Sequence, residues 1–154
     1  DVEGHVADEI ANALDRVHRP SFSLTLSGVG AFGSRKPHSV YAGTKASPDL
    51  NALQGEIDRI CQRLGIAPDP RKFTPHVTLA RLRNSSPGEV AGYLSARGNF
   101  SAAPFRVGRF VLMSSRESVG GGPYVIEEAW PLAGADARGA NATAGMPNAA
   151  WTMR

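Results

Sequence analysis

Residues 73–83 read FTPHVTLARLR, and this stretch combines the pattern of a strand with a chemical pattern. His76 and Thr78 are two residues apart, so on a strand their side chains project from one face, and those of Val77 and Leu79 project from the other. A threonine hydroxyl can donate a hydrogen bond to a phosphate oxygen, and an imidazole can accept or release a proton near neutral pH. The stretch predicts a strand whose apolar side, Val77 and Leu79, faces a core and whose other side suits phosphate chemistry.

The His-x-Thr triplet is short, and by itself it favours an ordinary surface strand over a catalytic one. Arg81 and Arg83 follow closely, but regular alternation places both on the face opposite His76. A bend after Leu79 would bring Arg81 towards a phosphate beside His76, whereas Arg83 is more typical of a surface arginine. Whether this strand is an ordinary surface strand or a catalytic one depends on the patterns in the rest of the chain.

The composition is that of a globular protein with a mild preference for anionic partners. Of the 154 residues, 42% are apolar and 20% are charged, which is enough for one ordinary domain. The net charge of +3 and the pI of about 9.4 favour partners such as RNA or nucleotides. No apolar run approaches the roughly 20 residues of a membrane span, and no signal segment is recognisable. The single cysteine, Cys61, lies on the apolar face of a predicted helix, so we expect a buried structural thiol in a cytoplasmic protein without membrane contact.

Apolar periodicity predicts the secondary structure. Helices are predicted over residues 5–18, 48–64 and 87–97, the second capped by Ser47 and ended by Gly65. Alternation predicts strands over residues 21–27, 40–43, around His76, 105–114 and 124–132, with glycine-rich turns over 28–33 and 120–122. Residues 133–154 lack periodicity and are predicted to form a disordered tail. This order of elements predicts an α+β fold with mainly antiparallel sheets.

Several stretches, in this order, resemble the 2H phosphoesterase superfamily and, within it, the RNA 2′,3′-cyclic phosphodiesterases, also called 2′-5′ RNA ligase-like proteins. FSLTLSGVGAF at residues 22–32 is similar to the family's strand and glycine turn, and RKPHSVYAG at residues 35–43 to its next strand. FTPHVTLAR at residues 73–81 matches the second of the family's two His-x-Thr-x motifs. The closing strands are also similar, so the resemblance covers one domain over residues 1–132.

The resemblance implies two α+β lobes with a cleft between them, each lobe giving one His-x-Thr-x strand. It implies a hydrolase that converts the 2′,3′-cyclic phosphate end of an RNA or oligonucleotide to a 2′-phosphate, without metal or cofactor, as a monomer. His76 would be the proton acceptor, and Thr78 would be a catalytic and substrate-binding group on the phosphate. Arg81 would bind substrate if the strand bends. Each acid–base partner would contribute roughly 10²–10⁴ in rate.

One of the two family motifs has no counterpart here, because His5, His18 and His38 lack a threonine two positions on. We expect His5 and His18 to be surface residues at the first helix and His38 to lie in a loop. The resemblance places the missing motif just before Asp1, so the domain is expected to be N-terminally incomplete and the chain weakly active or inactive. Two alternatives stay open: a non-catalytic module that binds an RNA end or a nucleotide, and an inactive product. The natural RNA and any ligation activity do not follow from the sequence.

Overall fold

A computed structural model describes residues 4–115 and 124–134. In chain order the elements are α1 (Gly4–Leu14), β1 (Phe22–Leu24), β2 (Leu26–Phe32), β3 (Ser39–Thr44), α2 (Pro48–Arg63), β4 (His76–Arg81), α3 (Pro87–Arg97), β5 (Phe105–Val107), β6 (Arg109–Ser115) and β7 (Tyr124–Pro131). β2, β3 and β4 form an antiparallel sheet in that order, β6 pairs antiparallel with β7, and β1 pairs with β5. The predicted α+β class with antiparallel sheets is confirmed.

The chain divides into two compact units. The first unit contains Asp1–Phe22, Pro48–Arg71 and Arg106–Arg154. In it α1 packs against α2, and the predicted apolar face of α1 is buried at Ile10 and Leu14. The indole of Trp130 on β7 stacks on Phe110 of β6, with ring centroids 5.1 Å apart, and its Nε1 donates a hydrogen bond to Asp15 over 2.6 Å.

α2 confirms the prediction from its capping residues. It begins at Pro48, directly after Ser47, and the chain leaves the helix through Gly65, which has a φ of +83°. The Ile66 N–H donates to the carbonyl of Cys61 over 3.1 Å, which satisfies one of the last helical carbonyls. Cys61 is buried, as predicted from its place on the apolar face, and burial followed by the charge of Asp58 raises the pKa of its thiol.

The second unit contains Ser23–Ser47 and Lys72–Phe105. It consists mainly of the β2-β3-β4 sheet and α3, which packs against β2. Val40, Ala42 and Val77 are buried on the sheet, and Val90 is buried on α3. α3 has the predicted bounds of residues 87–97, and a capping box between Ser86 and Glu89 fixes its start.

The glycine-rich stretch is where the secondary-structure prediction was wrong. Residues 28–33 were predicted to form a turn, but β2 continues to Phe32 and the turn begins at Gly33, which has a φ of +87°. The predicted strand over residues 21–27 is broken at Thr25 into β1 and β2. Gly30 therefore allows the close packing of Tyr41 on β2, and Gly28, with a φ of +71°, lies at the irregularity in the pairing of β2 with β3; neither reverses the chain.

Parts of the prediction lie at or beyond the limits of the described residues. Of the predicted tail, Ala133 bridges to Pro20 and the carbonyl of Gly134 accepts a hydrogen bond from Arg106 over 2.8 Å. The remainder, residues 135–154, lies outside the described residues, as does the loop over 120–122. In the part of the chain that the structure describes, no helix is both long enough and apolar enough to cross a membrane.

Candidate functional site

β4 carries the predicted pair of side chains. His76 lies opposite Gly43 on β3 and Thr78 lies opposite Tyr41, so both face the side of the sheet that carries Tyr41. His76 is half-buried and Thr78 is exposed, while Val77 between them is 8% exposed and joins the core on the other face. The alternation predicted from residues 76–78 is confirmed, and we call the side that carries His76 and Thr78 the site face.

A β-bulge changes the direction of the side chains after Thr78. Val40 pairs with Ala80 and Tyr41 pairs with Thr78, so one step along β3 corresponds to two steps along β4 and Leu79 is the extra residue. Leu79 is 47% exposed, and the prediction that it faces the core was wrong for this reason.

The same bulge brings Arg81 to the site face. Arg81 pairs with Ser39, which is two residues from Tyr41 and therefore shares its face of β3. Sequence analysis required a bend after Leu79 for Arg81 to approach a phosphate beside His76. The β-bulge at Leu79 supplies this change of direction. Arg83 lies beyond the end of β4 and is exposed.

The imidazole of His76 is held by the chain just before it. Its Nδ1 lies 2.7 Å from the carbonyl oxygen of Thr74. Because a carbonyl only accepts, Nδ1 must carry the hydrogen, and in the neutral ring the basic lone pair is then on Nε2. Pro75, which separates the two residues, has a restricted φ and disfavours helical backbone at Thr74, so this contact is locally fixed.

Two aromatic rings pack around His76. Its ring meets Phe32 edge-on with centroids 4.9 Å apart, and Tyr41 with centroids 5.3 Å apart. Phe32 and Tyr41 are stacked on each other with centroids 4.4 Å apart. A side chain at Gly30 would meet the ring of Tyr41 at 2.5 Å, so Tyr41 lies directly over the backbone of β2 at Gly30.

The remaining histidines lie elsewhere. His38 is exposed and begins the approach to β3, as predicted; its ring is parallel to that of Phe32 with centroids 6.4 Å apart, and its Nδ1 lies 3.3 Å from the Ser39 hydroxyl. His18 is exposed in the first unit, and its Nδ1 lies 2.9 Å from the carbonyl of Arg16. His5 lies in α1. Within residues 4–115 and 124–134, no three His, Cys, Asp or Glu side chains are grouped as metal ligands would be.

Sequence comparison identifies the protein family of this chain. The profile described as LigT like Phosphoesterase matches residues 44–124, which include all of β4. The chain belongs to the LigT-like phosphoesterase family. The resemblance of β4 to the second His-x-Thr-x motif of the 2H phosphoesterases agrees with this membership.

Two relatives of the chain carry a more specific name. An RNA 2′,3′-cyclic phosphodiesterase of Geobacillus stearothermophilus is 43% identical over 61 residues, which are 39% of this chain and 19% of the relative. A protein of the same name from Aeropyrum pernix is 33% identical over 87 residues, which are 55% of this chain and 49% of the relative. The chain therefore spans about half, or less, of the length of these two relatives.

Several solved structures have a similar fold. The crystal structure of E. coli LigT complexed with 3′-AMP is 26% identical, with a TM-score of 0.63 over 86% of this chain and 71% of that one. A Thermus thermophilus protein, 23% identical, has a TM-score of 0.63 over 86% of this chain and 73% of that one, and supports the fold alone.

Sequence analysis did not bring together four residues of this cluster, Thr74, Gly30, Phe32 and Tyr41. The contact with the Thr74 carbonyl was signalled only by the rigid Pro75. Phe32 and Gly30 lie in the part of β2 that was predicted to be a turn, so no local pattern placed them near the rings of His76 and Tyr41. Tyr41 is half-buried on the site face, where its ring contacts Phe32 and His76.

Proposed function

We propose that this chain binds an RNA 2′,3′-cyclic phosphate end on the site face of β4 and hydrolyses it to a 2′-phosphate. The observation that supports this most directly is the grouping of His76, Thr78 and Arg81 on one face, with the proton of His76 placed on Nδ1. Family membership supports the phosphoesterase chemistry, and the names of the two relatives support the cyclic phosphate as substrate.

The proposed reaction begins with attack of water on phosphorus. The water oxygen forms a new bond to phosphorus while Nε2 of His76 accepts the proton that the water loses. The bond between phosphorus and the 3′-oxygen breaks, and the phosphate stays on the 2′-oxygen. Proton acceptance by a positioned imidazole contributes roughly 10²–10⁴ in rate.

Thr78 and Arg81 act on the charge of the phosphate. The Thr78 hydroxyl donates a hydrogen bond to a non-bridging oxygen, and the Arg81 guanidinium offsets the negative charge that collects there during attack. Both side chains are exposed and can reach a ligand lying on the face. The departing 3′-oxygen takes a proton from solvent water, and His76 releases to solvent the proton that it accepted, so the protons balance without a second histidine.

One observation favours a second candidate function. His76 is the single histidine of the chain that is followed by threonine two positions on, whereas acid–base chemistry at both oxygens is most efficient with two partners. A site with one partner can hold the phosphate without turning it over. The second candidate is therefore a module that binds RNA ends or nucleotides.

The two functions are distinguished by measuring turnover and binding on the same samples. An oligonucleotide ending in a 2′,3′-cyclic phosphate is incubated with the chain, with His76→Ala and with Thr78→Val, in EDTA, and its binding is followed by fluorescence anisotropy. His18→Ala is the control, because His18 is an exposed histidine of the first unit.

Turnover to a 2′-phosphate that falls roughly 10²–10⁴-fold in His76→Ala and is unchanged in His18→Ala is the expected result. If the chain binds the oligonucleotide, Thr78→Val weakens this binding and no variant shows turnover, the chain is a binding module and catalysis is refuted. If the folded chain shows no binding and no turnover, both candidate functions are refuted.

A further inference from the structure

The two units of the chain have opposite net charges. The second unit, Ser23–Ser47 and Lys72–Phe105, contains seven Lys and Arg residues but one acidic residue, Glu89, which gives it a net charge of +6. The rest of the chain carries ten Lys and Arg residues and thirteen Asp and Glu residues, a net charge of −3 that accounts for the total of +3. The single acidic residue is engaged at the start of α3, where its carboxylate accepts hydrogen bonds of 2.8 Å from the backbone N–H and the hydroxyl of Ser86.

Part of this positive charge lies on the turn between β2 and β3. Arg35 and Lys36 are both exposed there, and we call residues 33–38 the basic turn. The turn is closed by the pair Phe32 and Ser39 and by a hydrogen bond of 3.0 Å from the His38 N–H to the carbonyl of Phe32.

The basic turn is folded tightly upon itself. Gly33 has a φ of +87°, and a side chain there would collide with the carbonyl oxygen of Lys36 and approach Cδ2 of His38 to 2.9 Å. Pro37 is buried, and its ring restricts the backbone directly after Lys36. The backbone that carries the two cations is therefore held in one conformation, which lowers the entropy lost when they bind a ligand.

The register of the sheet places the basic turn at the Arg81 end of the site face. Ser39 pairs with Arg81, and the Leu82 N–H donates to the carbonyl of His38 over 2.9 Å. Four steps of β3 separate Ser39 from Gly43, the partner of His76, which at 3.4 Å per residue is about 14 Å. A ligand that extends from His76 past Arg81 would meet Arg35 and Lys36.

We propose that the basic turn binds the backbone of a single RNA strand on the 5′ side of the reacting end, so that the chain selects oligonucleotides over cyclic mononucleotides. The proposal rests on the function proposed above. A 2′,3′-cyclic phosphate forms only at the 3′ end of a strand, so every other phosphate of the substrate lies on the 5′ side of the reacting one. Phosphates that follow the site face away from His76 reach a region that is cationic and holds no acidic residue besides the engaged Glu89.

The test compares two double variants that remove the same charge. Arg35→Gln with Lys36→Gln removes the cations of the basic turn. Arg59→Gln with Arg97→Gln, on exposed positions of α2 and α3, removes two charges elsewhere. Binding of a fluorescent single-stranded oligonucleotide ending in a 2′,3′-cyclic phosphate is measured by anisotropy over a series of salt concentrations, and binding of 2′,3′-cyclic AMP by calorimetry. Circular dichroism checks that each variant is folded.

The basic-turn variant is expected to bind the oligonucleotide roughly three- to tenfold more weakly, with 2′,3′-cyclic AMP binding unchanged. The slope of log K against log salt should lose about 1.4, because each phosphate contact to a single strand contributes about 0.7. Equal losses in the two double variants, an equal loss for the cyclic mononucleotide, or no oligonucleotide binding by the unmodified chain would each overturn the proposal. Because the readout is binding, a chain that shows the expected difference without any turnover would support the basic turn and refute catalysis alone.

Discussion

The packing of Tyr41 over Gly30 makes Gly30→Ala the most informative single change in the second unit. The added methyl group would lie 2.5 Å from both Cζ and Oη of Tyr41 and 2.8 Å from Cε2. Ordinary van der Waals contact begins at 3.4 Å, so the ring would have to move by about 0.9 Å. Phe32 and His76 both contact this ring, so the site face has to adjust as well.

The expected magnitude follows from two opposing terms. Overpacking of this kind costs about 1–3 kcal/mol. Replacing glycine by alanine in a strand stabilises the fold by about 0.5–1 kcal/mol, because the unfolded chain loses conformational freedom. This gain applies here because Gly30 does not have a positive φ, which alanine would disfavour. We expect Gly30→Ala to lower the free energy of unfolding by about 1 kcal/mol.

The assay is urea denaturation followed by circular dichroism, with two companions. Gly92→Ala in α3 is the matched control, since a side chain there meets nothing within 4 Å and should stabilise by about 0.8–1 kcal/mol. Tyr41→Leu removes the three atoms that the methyl group would meet, so in that background Gly30→Ala should become stabilising. If Gly30→Ala stabilises the unmodified chain as Gly92→Ala does, or costs the same in both backgrounds, the packing argument is refuted.

Three further predictions concern local interactions. Ser86→Ala should lower the free energy of unfolding by about 1 kcal/mol in urea denaturation, because it removes the N-cap of α3, and an unchanged stability would contradict the capping box. In an NMR titration of the same variant, the lowered pKa of Glu89 should rise only in part, because the hydrogen bond from the backbone N–H of residue 86 persists. The thiol of Cys61, whose pKa is raised by burial and then by the charge of Asp58, should react slowly with a disulfide reagent in the folded chain and rapidly in denaturant, and equal rates would contradict its burial. The hydrogen bonds from Arg71 lower the pKa of Asp69 to about 2. This interaction therefore stabilises the folded chain at pH values above the ordinary pKa of 3.8, and the stabilisation is lost as the pH falls towards 2. If NMR shows that the pKa of Asp69 stays near 2 in Arg71→Ala, Arg71 is not the cause.

Features that depend on neighbouring residues in the chain were predicted well. The shared face of His76 and Thr78 follows from the alternation of side chains over three residues, and the bounds of α2 follow from the Ser47 cap, the apolar period and Gly65. The Cys61 thiol was predicted to be buried on the same grounds. Each of these signals lies inside the element that it describes.

Features that depend on a partner strand were not determined by the local pattern. The contact of Gly30 with Tyr41 joins two strands, and without it the glycines of β2 resembled a turn. The bulge at Leu79 exists only in the pairing of β4 with β3, so alternation alone placed Leu79 in the core and Arg81 on the wrong face. The structure decided both positions because register belongs to a pair of strands and not to one of them.

The sequence by itself determined the α+β class and the shared face of His76 and Thr78, because the periodicity of apolar residues and the alternation of side chains can be read along the chain. It showed a total charge of +3 with cations scattered in ones and twos. Only the tertiary structure collected Ser23–Ser47 and Lys72–Phe105 into one unit of net charge +6, and brought Arg81 to the face of His76. The physical reason is the same for both: charge fields and strand register depend on distances in space between segments that are far apart in the chain.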